Sequence, residues 1–184
     1  LYVAIVIYSF PHALEKEKTE ETIARINAQK LTIENVNGEH LPPPPDPAQV
    51  DATIEGVDAN ANGIRDDVEL AIFERYPDSP KIRAAELQYA MALQMELTQV
   101  FNSETWKAAV IQGSRGYACI SETYPRTNLD EYFRITDART EEVQQMLLNT
   151  SERKDKWNQI DEYATSFGLP NENLCDLDLN GLSN

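Results

Sequence analysis

The residues Asp58-Ala59-Asn60-Ala61-Asn62-Gly63-Ile64-Arg65-Asp66-Asp67-Val68-Glu69 restrict the fold more than any other stretch of the chain. They meet the pattern D-x-[DN]-x-[DN]-G-x₅-E at every specified position. Alternate positions turn inward, so Asp58, Asn60 and Asn62 can each offer an oxygen to a common centre, and Gly63 permits the sharp turn that follows. Ile64 stands where a backbone carbonyl is donated, which frees its side chain for the core. Asp66 binds directly or through water, and Glu69 closes the shell with both carboxylate oxygens. An all-oxygen set of this kind suits a hard cation. Ca²⁺ takes about six to eight oxygens at roughly 2.3–2.6 Å. Asp58, Asn60, Asn62, Ile64, Asp66 and Glu69 are therefore the expected calcium ligands, in a loop that leads into a helix. Using Asn at two of these positions lowers the repulsion in an empty loop, and with it the expected affinity. The bland alternative is an Asn/Gly-rich surface turn before a helix N-terminus.

Two departures separate this loop from a paired EF-hand. Its eighth position is Arg65, where two paired loops usually bridge through an apolar residue, and the preceding residues 46–57 are too short and too marked by Pro and Gly to form a good entering helix. The run DANANGIRDDVE resembles the EF-hand-like loops of dockerin modules, thrombospondin type 3 repeats and various bacterial envelope proteins. The resemblance covers about fifteen residues. It implies calcium binding at the ligands named above and a structural clip, and it leaves Asp67 outside the ligand shell.

The 184 residues suffice for one domain with appendages, and the net charge is −15. Such an acidic chain repels phosphates, so no nucleic-acid partner is expected. Its acidity fits an extracellular or envelope surface rich in divalent ions, although simple solubility explains most of the charges. Cys119 and Cys175 belong to no CxxC pair and have no neighbouring His for a zinc site. An oxidising compartment would join them as a disulfide, worth about 4 kcal/mol for so long a loop. Two buried thiols are the competing reading.

Residues 1–11 begin with the apolar run Leu1-Tyr2-Val3-Ala4-Ile5-Val6-Ile7-Tyr8-Ser9-Phe10. Ten residues rise about 15 Å as a helix, half of the roughly 30 Å hydrocarbon core. The segment is read as part of a membrane anchor or as a stalk packing against like subunits in a pilin-like filament. A signal-peptide remnant and a buried strand are the other readings. Residues 12–30 form an acidic helix whose thin apolar stripe, Leu14, Ile23 and Ile26, suggests a stalk or partner-facing role outside the core. Residues 31–50 read as an extended Pro-rich linker around Pro42-Pro43-Pro44-Pro45, a stiff spacer or a wrap around the domain before a groove-binding motif.

Residues 51–184 are expected to form the helical calcium-binding domain. A helix should run from Asp66 to about Arg75, and a long buried one from the Ser79-Pro80 cap to Val100. Another should start at Ser103, with Gly113 and Gly116 as possible interruptions. Asn128 caps a short helix, and Thr140 opens one that continues to Phe167, before Gly168 and Pro170. Asp176-Leu177-Asp178-Leu179-Asn180-Gly181 repeats half of a calcium loop, but the outward-pointing leucines this would require favour a terminal strand or turn. The fold class is thus all-α: a compact bundle of about four to six helices with an EF-hand-like calcium loop.

Both histidines, His12 and His40, lie in the amino-terminal appendage. His-based triads and His-ligated metals are therefore absent from the helical part, and there is no GxSxG, P-loop or GxGxxG pattern. Asn149-Thr150-Ser151 matches a glycosylation acceptor, a pattern common by chance. The expectation is a non-enzymatic, extracytoplasmic structural or interaction domain of bacterial cell-envelope type, with Ca²⁺ as cofactor and an unidentified protein partner. A pilin-like filament subunit is the alternative, and a carboxylate-based hydrolase of envelope polysaccharide the second.

Overall fold

Apolar residues between Ala84 and Leu97 recur too densely for a one-sided stripe, and the helix that carries them lies at the centre of the molecule. The structure is a computed structural model that describes residues 2–168 and 173–183, with the backbone alone for residues 2–12. Among the described residues it is all-helical, with eight α-helices and no strand. These are α1 (Tyr2–Ala28), α2 (Ile33–Asn37), α3 (Pro47–Val50), α4 (Asp66–Arg75), α5 (Pro80–Gln99), α6 (Ser103–Glu122), α7 (Leu129–Leu147) and α8 (Ser151–Ile160). Helices α1, α2, α4, α6, α7 and α8 all pack on the central α5.

The caps set the boundaries. Ser79 accepts from the Ile82 amide, with Pro80 opening α5. Asn102, one residue before the expected Ser103, caps α6 by accepting from Thr105 N. Asn128 caps α7 as expected, yet that helix continues to Leu147, so Thr140 lies inside it, buried. Thr150 then caps a separate α8 by accepting from Arg153 N. The single helix expected from Thr140 to Phe167 is therefore broken at Leu148–Asn149, and α8 ends at Ile160 in a 3₁₀ turn, Asp161–Tyr163. Pro170 lies outside the described residues.

Gly113 and Gly116 do not interrupt α6. They are the points where it meets α5. A Cβ on Gly116 would stand 2.8 Å from the Tyr89 Cα, and one on Gly113 would collide with the Glu96 carboxylate. The missing side chains let the two helices approach.

The amino-terminal segments begin with a single long helix. This helix, α1, runs unbroken from Tyr2 through Pro11 to Ala28, across the expected boundary between residues 11 and 12. Its end is also a core element: Ile26 is fully buried, Thr19 and Thr22 are buried, and Ile23 packs on the core, whereas Leu14 is exposed. Residues 31–50 wrap the domain, burying Leu31, Val36, Pro42 and Val50. Thr32 forms a capping box with Asn35 and starts α2, which ends at Gly38 in a left-handed turn.

Cys119 and Cys175 form a disulfide with a Cα–Cα distance of 5.0 Å. It ties the last described segment to α6. There the Asp176 carboxylate takes Arg115 Nη2 at 2.8 Å and the Leu31 amide at 3.1 Å, while Leu179 enters the core. Asp176–Gly181 is thus a turn ending in a 3₁₀ segment, Leu179–Gly181, and its first carboxylate is already paired with a guanidinium.

Candidate metal site

The loop from Asp58 to Glu69 is organised by its own side chains. Asp58 accepts from Asn62 N at 3.1 Å and from Gly63 N at 2.8 Å. Asn62 accepts from Ile64 N at 2.8 Å, and Asp66 accepts from Ala59 N across the loop at 3.0 Å. Gly63 has φ of 84°, a left-handed conformation that disfavours a β-carbon. These contacts turn the chain through the loop and deliver Asp66 and Glu69 into the first turn of α4.

The polar side chains face one another. Glu69 is 1% exposed and accepts from Asn62 Nδ2 at 2.8 Å and from Asn60 Nδ2 at 3.0 Å. Asp66 is buried beside it. Ile64 is fully buried in the core, and Asp58 lies on the exposed rim. Burial, opposed by the two amide bonds and reinforced by the Asp66 and Asp58 charges, pushes the Glu69 carboxyl up to about 7. Burial also raises Asp66, with Asp58 and Asp67 adding like charge. Among the described residues no Lys or Arg forms an ion pair with Asp58, Asp66 or Glu69.

The residues fit a hard divalent cation in their chemistry: oxygen donors only, two buried carboxylates, and no positive partner. In this arrangement the two Asn amide groups donate to Glu69, so N–H dipoles meet its charge. Among the described residues no three Asp, Glu, His or Cys side chains converge closely enough to hold a metal ion by themselves. Such a set would need the two Asn residues and the Ile64 carbonyl as further donors.

Two buried arginines frame the loop. Arg65 is fully buried and donates to the Leu147 carbonyl at 3.3 Å, to the Met146 carbonyl at 2.7 Å and to Asp67 at 2.9 Å. The eighth loop position therefore grips the C-terminal end of α7, where orphan carbonyls need donors. Asp67 is held by the Arg65 guanidinium. Arg153, also fully buried, gathers the leader by donating to the carbonyls of Val50, Thr53 and Ile54 and to Asp51. Sequence reasoning marked Arg65 only as a departure from pairing, and it missed Arg153, whose local context reads as an exposed helix. Asn149, the glycosylation-pattern residue, is exposed at the α7–α8 junction and bonds to Asp51 and Arg153.

No protein-family model matches the chain, and no curated protein or solved structure matches it.

Proposed function

We propose that this chain is a calcium-stabilised interaction domain of the cell envelope or extracellular space, without catalytic activity, carried through its N-terminal helix. One observation carries the reading: Glu69 and Asp66 are buried together inside the loop with Asp58, Asn60 and Asn62 around them, and among the described residues no cationic side chain is paired to the acids. A buried carboxylate without a positive partner is costly. A divalent ion removes that cost and locks the leader to α4. The disulfide suits an oxidising compartment.

The test is thermal unfolding with calcium and with EGTA, alongside calorimetric titration of the ion. Calcium is expected to raise the midpoint, by about 2.7 kcal/mol of stability at a hundredfold excess over Kd. No bound ion and an unchanged midpoint would refute the assignment.

Among the described residues no helix is long and apolar enough to cross a membrane. The unbroken course of α1, with residues 13–18 exposed beyond its packed end, favours a second reading of the same domain. In it α1 packs against like helices in a filament. Electron microscopy of purified protein separates the two readings, since filaments support the second and monodisperse particles exclude it.

A further inference from the structure

We propose that Gln29 couples the loop to the N-terminal helix, so that calcium controls how firmly α1 is held on the domain. This rests on the reading of residues 58–69 as a calcium site.

Gln29 follows the last residue of α1, and its amide still donates to Arg25 O at 3.0 Å, so it moves with the helix. Its side chain crosses to the loop and donates through Nε2 to the Asn62 carbonyl at 3.2 Å. It occupies the space a Cβ on Gly63 would need. The position that requires a left-handed backbone is therefore also the one that admits the Gln29 amide. On the other side of the loop Asn60 donates to the His40 carbonyl at 3.0 Å. A cleft of about 590 Å³ separates the end of α1 from residues 60–62, and the Gln29 side chain lies along it.

Elsewhere α1 packs on α6 and α5, with Thr19, Thr22 and Ile26 buried and Ile23 against the core. Residues 13–18 are exposed. Below them the helix is kept by Ile26 in the core, by Asn102 donating to Thr19 Oγ1 at 2.8 Å, and by Arg25 donating to Gln99 at 3.1 Å. The Asn62 carbonyl belongs to an expected ligand residue. When the ion leaves, repulsion among Asp58, Asp66 and Glu69 spreads the loop, and the acceptor for Gln29 moves with it. The apolar front of α1 is then presented on a looser base.

Hydrogen–deuterium exchange of the full chain in calcium and in EGTA tests this, with calorimetry reporting ion binding. The amides of residues 19–28 should exchange about tenfold faster in EGTA, as expected for one lost hydrogen bond, and this change should exceed that in α6. In Gln29→Ala, calcium should still bind, while α1 exchanges at one fast rate with and without it. Calcium binding with equal changes in α1 and α6, or with no change in α1, would overturn the coupling and leave the calcium site standing. So would a Gln29→Ala variant that keeps the full calcium-dependent difference. Absence of calcium binding would overturn both.

Discussion

Glu96 is almost wholly buried on α5, facing the bare backbone of Gly113, and burial with the nearby Asp161 charge pushes its carboxyl up to about 8. The folded state therefore holds this proton where the unfolded chain, near 4.5, has lost it. Stability from this group is greatest at low pH, declines as pH rises from about 4.5 to about 8, and is level above that. Glu96→Gln keeps the shape and removes the titration. Relative to wild type it should gain roughly 3 kcal/mol at pH 7 and little near pH 4, read from urea unfolding at both pH values. A gain independent of pH would refute the assignment. Other single residues escape sequence reasoning for a related reason. Local pattern treats charged residues as surface, and the partners that bury Arg65 and Arg153 come from segments about eighty to one hundred positions away. The turn through residues 58–69 was legible because Asp58, Asn62 and Gly63 shape it through contacts within the loop itself.

Helix starts were legible where a short polar side chain caps the next turn, as at Ser79 and Asn128. Helix ends and glycines were less so. Gly113 and Gly116 look like breaks in a linear reading, because glycine weakens an isolated helix by about 1 kcal/mol relative to alanine. What they serve is the approach of α5, which no local pattern contains. Gly116→Ala therefore sets a helix-propensity gain of about 1 kcal/mol against a Cβ 2.8 Å from the Tyr89 Cα, a backbone atom that cannot rotate aside. The steric term should win, with net destabilisation of about 1–2 kcal/mol in chemical denaturation. A stabilised variant would mean that the two helices separate more readily than this packing implies. The split between α7 and α8 was missed because the apolar spacing continues across it, while Thr150 begins a new cap that Arg153 and Asp51 hold in place.

Across the molecule, the all-helical class and the paired cysteines agree with expectation. The continuity of α1 from Tyr2 to Ala28 was not foreseen, and residues 31–50 wrap the domain and contribute to its core. The disulfide closes a separation of 56 residues and holds the tail that supplies Asp176. Replacing both Cys119 and Cys175 by Ser should cost about 4 kcal/mol, measured as a lowered urea midpoint. An unchanged midpoint would show that the tail is held without the bond. Asp176 also gives this bond a mechanical meaning. Its carboxylate grips the backbone at Leu31, just past the end of α1, and it adjoins Cys175, bonded to α6. Tension on the N-terminal helix would reach α6 through the direct packing of the two helices and, at Leu31, through one carboxylate and one covalent staple. A domain strained in this way would shed load at its edge before its centre yielded.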